Sequence, residues 1–200
     1  MQMENLEDLM KEDLKDLLNA ENQIAKALPK MIKTASHPEL QEAFKMHLEE
    51  TKGHVERVEQ VMGIMGMPVK SKTCKAMQGI IEEGKEVMSE DAEDDVMDAA
   101  LIGAAQKVEH YEIASYGTLC TYAELLGLAE AKKLLGQNLE EEKATDQKLT
   151  AMSERRVNPQ ADNKPARETK STARRKSSKT AARPAAKAKR GGAKKAKRRA

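Results

Sequence analysis

Four stretches of this sequence repeat apolar residues three and four apart, the period of one helix face, and each carries an acid on or beside that stripe. The first takes in Leu6, Leu14, Leu17, Glu21, Ile24, Leu28 and Met31, with Asn5 placed to cap it and Glu7 and Asp8 in its first turn, and reaches about Ser36. Pro29 lies inside it and is expected to kink it, because proline removes a backbone donor. The second follows Ser36-His37-Pro38-Glu39, passes Leu40, Phe44, His47 or Leu48, Val55, Val58 and Met62, and stops at Gly66 with Pro68 beyond. The third starts near Asp91 or Glu93, passes Leu101, Val108, Glu112, Leu119 and Leu126, and ends at Gly127. The fourth takes Leu128, Ala131, Leu135, Glu142, Asp146, Leu149 and Met152. Residues 66–92 are too long for a turn and contain a short helical pattern at Cys74–Met88. Short, long and short connections describe an all-α four-helix bundle whose long crossover, between the second and third helices, runs the length of the bundle and carries a short helix.

The acids on those stripes need an explanation, since burying a carboxylate is costly unless it is paired or bound to a metal. Glu50 and His54 are four apart and share a helix face beside the apolar stripe. Glu21 takes a core slot between Leu17 and Ile24, Glu109 and Glu112 are one turn apart, and Glu142 and Asp146 are four apart, so the two halves of the bundle echo each other. A dinuclear metal site needs such a set: carboxylates offset the charge of two ions and bridge them, and an imidazole supplies a neutral ligand. The candidate metal ligands are Glu21, Glu50, His54, Glu109, Glu112, Glu142 and Asp146. Each has a plainer reading. Glu21 would reach the bundle end, Glu50 and His54 would form a surface hydrogen bond, Glu109 would face solvent, and Glu142 with Asp146 would lie on a solvated face. His110 reads as structural, His47 as a bundle-face residue, and Tyr111, Tyr116 and Tyr122 as core filler.

The net charge of +2 conceals two opposite parts, with 17 basic and 30 acidic residues over 1–150 against 18 and 3 over 151–200. The expected domains are the bundle over 1–153 and a basic tail over 154–200. From about Val157 the tail shows no apolar periodicity and is expected to be disordered. Its runs include Arg174, Arg175 and Lys176, then Lys194, Lys195, Lys197, Arg198 and Arg199. With no aromatic to stack on bases and no element to enter a groove, such a tail would bind DNA or RNA through phosphates, without sequence preference. Two cysteines, Cys74 and Cys120, make no disulfide framework and suit a reduced cytoplasmic protein, with nucleoid association through the tail. Neither a signal peptide nor a membrane span is expected.

Ala20-Glu21-Asn22-Gln23, His47-Leu48-Glu49-Glu50-Thr51, the string from Ala104 through Glu109-His110-Tyr111-Glu112 to Leu119, and Leu139-Glu140-Glu141-Glu142-Lys143-Ala144-Thr145-Asp146 resemble the bacterial YciE/YciF family over about residues 4–153. The resemblance implies a ferritin-like bundle, a homodimer, a di-iron site and a stress-linked role, and carries the same seven ligands over by position. Two iron ions, with manganese as the alternative, would support oxidase or peroxidase chemistry on O2 or peroxide. The Glu-x-x-His motif that ferritin-like proteins carry on two helices is absent: Glu50 and His54 are spaced more widely, and Asp146 stands where a second histidine would. The competing expectation is a metal-independent nucleic-acid-binding protein whose bundle is a dimeric scaffold.

Overall fold

In the computed structural model, residues 3–162 are described. Asn5 caps the first helix, its side-chain oxygen accepting from the Asp8 amide at 2.9 Å. From there α1 runs Leu6–Thr34, followed by α2 (Pro38–Ile64), α3 (Lys75–Val87), α4 (Asp94–Leu125) and α5 (Ala129–Met152). All elements among the described residues are helical. α1 continues through Pro29 as one helix, because the missing amide costs one hydrogen bond while Leu28 and Met31 on either side are held in the core. Both α2 and α4 end on a left-handed glycine, Gly66 at φ 65° and Gly127 at φ 70°. The amide after each glycine, Met67 N to Met62 O at 2.9 Å and Leu128 N to Ala123 O at 2.8 Å, closes the helix end.

The long helices form a closed ring in which α1 packs on α2, α2 on α5, α5 on α4 and α4 on α1. Asp98, near the start of α4, accepts 2.8 Å bonds from the amides of Ser36 and His37 at the α1–α2 turn. So α4 begins at the end of the bundle where α1 finishes, and the crossover has travelled back along the bundle's length. On the way it is pinned to α1 by Lys72 N to Lys15 O at 3.0 Å and Cys74 N to the Asn19 side chain at 2.8 Å, and α3 then lies across α1 and α4. Leu14, Leu17, Leu40, Phe44, Met62, Leu101, Leu119 and Leu135 are buried in the shared core. Each buried side chain of this kind contributes about 1.5–3 kcal/mol.

The helical path does not stop at Met152. A π-helical turn over Ser153–Val157 leads into α6, Asn158–Asp162. Val157, at the expected start of the tail, is 1% exposed and part of the core, and Arg156 pairs with Glu39 of α2. Its isolation among polar residues hid it from a periodicity argument. The basic runs from Arg174 to Lys176 and from Lys194 to Arg199 lie outside the described residues.

Candidate metal centre

Midway along the bundle the apolar core is interrupted by six ionisable side chains, all at most 3% exposed: Glu21, His47, His54, Glu109, Glu112 and Glu142. They come from all four long helices, because each sits on the inward stripe of its own helix. Their ligand atoms fall into two overlapping groups. One joins Glu21, His54, Glu112 and Glu142; the other joins His47, Glu109, Glu112 and Glu142; within each, the atoms lie within 4.8 Å of one another. Glu112 and Glu142 belong to both. Each group thus has one imidazole, one carboxylate of its own and two shared carboxylates.

Nine buried side-chain oxygens and nitrogens among the described residues make no hydrogen bond, and all nine belong to these six residues; five of them, on Glu21, His47, His54 and Glu142, face an opposite charge in an imidazole–carboxylate pair, and four, on Glu109, Glu112 and Glu142, face none. They include both oxygens of Glu112, both of Glu142 and both ring nitrogens of His47. Buried polar groups are otherwise almost always satisfied, because leaving one unpaired costs about 1–3 kcal/mol. The arrangement is electrostatically tense. Burial, with Glu21, Glu142 and Glu109 around it, pushes the Glu112 carboxyl well above the usual range. Burial and the facing Glu142 do the same to Glu109. Burial would lower the His54 imidazole, but Glu142 and Glu21 outweigh it and raise it to about 10. Burial also opposes ionisation of Glu142, but contact with His54 and Glu109 holds its carboxyl below the ordinary value. His54 Nδ1 is 2.7 Å from Glu142 Oε1 and 3.7 Å from Glu21 Oε2; His47 Nε2 is 3.3 Å from Glu109 Oε1.

A polar brace surrounds one side of this cluster. His54 Nε2 meets Glu141 Oε2 at 2.9 Å, which leaves Nδ1 turned inward. Arg57 holds both Glu141 and the Asn138 side-chain oxygen. Asn138 donates to the Tyr116 hydroxyl at 2.8 Å, and that hydroxyl donates to Glu21 Oε1. Tyr116 is therefore core by burial and also positions a member of the cluster.

Two of the seven expected ligands stand apart. Glu50 is only partly buried, with Oε2 3.9 Å from His47 Nδ1 and accepting from Thr145 at 3.4 Å. Asp146 accepts from Gln106 at 3.0 Å and lies 3.4 Å from exposed His110. Neither enters the two groups. His47, which sequence reading left as a bundle-face residue, does. The signal was there: His47 and His54 are seven apart, so they share a stripe two turns from each other.

The donor set fits a pair of divalent cations. Four carboxylates balance two 2+ charges, two imidazoles add neutral nitrogen donors, and the two shared carboxylates lie where bridges belong. Mixed oxygen and nitrogen donors suit iron or manganese better than a soft thiolate metal.

A family model described as a domain of unknown function, DUF892, matches residues 5–162. Protein YciF of Escherichia coli strain K12 is 50% identical over 165 residues, covering 82% of this chain and 99% of that protein. The crystal structure of the E. coli stress protein YciF superposes with a TM-score of 0.75, covering 78% of this chain and 99% of that one. YcfI from Rhodopseudomonas palustris is 44% identical, with a TM-score of 0.73 over 74% of this chain and 95% of that one. With identity at this level along almost the whole length of YciF, and the family model spanning every described helix, the chain belongs to the DUF892 family of YciF-like proteins.

Proposed function

We propose that the bundle binds two metal ions, iron with manganese as the alternative, and serves as a stress-response metalloprotein. The supporting observation is that the nine buried polar atoms without a hydrogen bond all fall on the two overlapping ligand groups, and that both oxygens of Glu112 also lack an ion pair. A helix bundle gains nothing from four buried carboxylates without cations, since each raises the repulsion felt by the others. Glu21 and His54 would serve one ion, His47 and Glu109 the other, and Glu112 and Glu142 both. When bound, the ions would supply redox or Lewis-acid chemistry toward O2 or peroxide. The residues of this chain do the rest. Glu141 and Arg57 fix the His54 ring, Tyr116 fixes Glu21, and the burial of all six side chains in the bundle core excludes bulk water. The name of the E. coli relative, a stress protein, supports the physiological setting.

The test is metal content. Full-length protein purified without chelator should carry about two ions per chain, and Glu112→Ala with Glu142→Ala should carry none while remaining helical by circular dichroism. Wild-type metal content in the double variant would sink the proposal.

The strongly basic composition of residues 151–200, 18 basic against 3 acidic, supports a second role for the tail in holding nucleic acid phosphates. The acidic body would repel DNA and confine contact to the tail. Together with a homodimeric bundle, this makes a protein that carries its metal centre beside nucleic acid.

A further inference from the structure

We infer that the space beneath α3 is a binding site for dioxygen, leading to the ion position served by His47 and Glu109; this deepens the metal-centre reading above and rests on it. A cavity of about 110 Å³ lies where α3 crosses α1 and α4. Its walls are apolar, including Ile24, Leu28, Ile80, Ile81, Ala105 and Val108. Its polar groups fall into two sets. His47 and Glu109, both buried, are also members of the second ligand group, and Lys26, Lys30 and Lys85 are exposed. The cavity therefore touches one of the two ligand groups directly and leaves Glu21 and His54, of the other group, out of its lining.

The walls select the occupant. A water molecule takes up about 30 Å³ and needs two to four polar partners; the wall of Ile24, Leu28, Ile80, Ile81 and Val108, between the exposed lysines and the His47–Glu109 end, gives none and favours a neutral apolar guest. Hydrogen peroxide would lose its hydrogen bonds along the same walls, at a cost of a few kcal/mol for each unmade bond. Dioxygen has none to lose. The volume accommodates a diatomic guest. Small residues keep the space open: a Cβ added at Gly84 of α3 would lie 3.9 Å from the Ala104 Cβ of α4, so the two helices face each other here through a hydrogen and a methyl group.

Xenon, a neutral apolar probe of gas size, tests the site in metal-free full-length protein, by ¹²⁹Xe NMR titration and by pressurised crystals. Xenon should bind between α3 and α4, and Ala104→Leu should weaken binding at least tenfold by filling the space. Ala27→Leu, from the opposite wall, serves if that variant does not fold. In ferrous-loaded protein, the same variant should slow oxidation by O2 at least tenfold with the metal content unchanged. In that reaction two ferrous ions each give one electron, and O2 takes both with two protons to leave as hydrogen peroxide. Oxidation by added hydrogen peroxide, which takes two electrons and two protons to leave as two waters, should stay at the wild-type rate. Lack of xenon binding in the wild type overturns the inference whatever the metal content, and so does an O2 rate that survives filling of the cavity. Slowing of both oxidants together would mean that the variant damages the metal centre rather than the route, and would overturn it equally. Protein that binds xenon but no metal would end the metal-centre reading and the delivery role with it.

Discussion

Glu112→Gln should make the metal-free protein more stable at neutral pH, although it removes a residue from the centre of the ligand cluster. Glu112 is fully buried, lacks a hydrogen-bond partner at either oxygen, and has its carboxyl pushed well above the usual value by burial and by Glu21, Glu142 and Glu109. A carboxyl whose folded value is raised is most favourable to folding below its ordinary value of 4.5, and that contribution is lost as pH rises toward the folded value. At pH 7 the metal-free chain must therefore either bury a charge or fold with a proton it would otherwise release. Holding that proton at pH 7, above the ordinary carboxyl value, costs on the order of a few kcal/mol at most. Glutamine has the same shape and no proton to hold, so it recovers part of this and raises Tm by about 2–4 °C for each kcal/mol recovered in a domain of this size. The gain should shrink steadily as pH is lowered and nearly vanish at pH 4.5. Added Mn2+ should reverse the order, since an ion at 100 times its Kd stabilises the wild type by about 2.7 kcal/mol and the variant by far less. Thermal melts of chelator-treated protein at pH 4.5 and pH 7, with and without Mn2+, read all four values. A metal-free variant that melts below the wild type at pH 7, or equal gains from Mn2+ in both proteins, would refute the reasoning.

Glu141→Gln, which weakens the brace on His54 without touching the ligand groups, should lower metal affinity about 10- to 100-fold and leave the stoichiometry at two, as read by competition with a chromophoric chelator. Mn2+ titrated into metal-free protein should bind in two steps, and His47→Ala should abolish only the second; one step that both His47→Ala and His54→Ala abolish equally would count against it. Full-length protein should shift DNA in gels at low salt and lose it steeply as salt rises, while residues 1–162 alone should not bind; equal binding by both chains would exclude the tail. Sedimentation of residues 1–162 at micromolar concentration should give a dimer, and a monomer would show that the bundle does not self-associate.

Four helices, their connections and both glycine stops were legible because apolar periodicity and turn chemistry act locally. Five of the six clustered residues were also visible, as acids or an imidazole where the stripe calls for leucine. His47 was placed on the stripe as an alternative to Leu48 but not among the ligands, because the four-residue spacing pairs Glu50 with His54, whereas the helix turns His47 inward and Glu50 partly out. That is a matter of rotation by a fraction of a turn, which a stripe about 100° wide does not resolve. Asp146 fell to the same imprecision: four residues past Glu142, it has rotated far enough to meet Gln106 and His110 instead. Val157 and α6 were invisible for a different reason, since one apolar residue among polar neighbours carries no period and its burial depends on α4 being alongside.

The placement of the imidazoles gives the centre a built-in asymmetry. Both come from α2, the four carboxylates come from α1, α4 and α5, and α2 contributes no carboxylate to either ligand group. The two rings are not held alike. His54 is backed at 2.9 Å by Glu141, which Arg57 holds while also bonding Asn138, and it is fully buried. His47 has only the half-buried Glu50 at 3.9 Å behind it, and its other nitrogen faces Glu109 inside the cluster at 3.3 Å. A braced ligand loses little freedom when it takes up an ion, whereas a loosely held one must be ordered at that moment, which weakens binding. The Glu21 and His54 position should therefore fill first and hold harder, and the His47 and Glu109 position should be the exchangeable one. That second position is also the one that the apolar cavity under α3 reaches. The geometry thus separates the duties of two ion positions that share Glu112 and Glu142: one anchored by a polar brace on the α2–α5 side, the other softer and turned toward the apolar route on the α1–α3–α4 side.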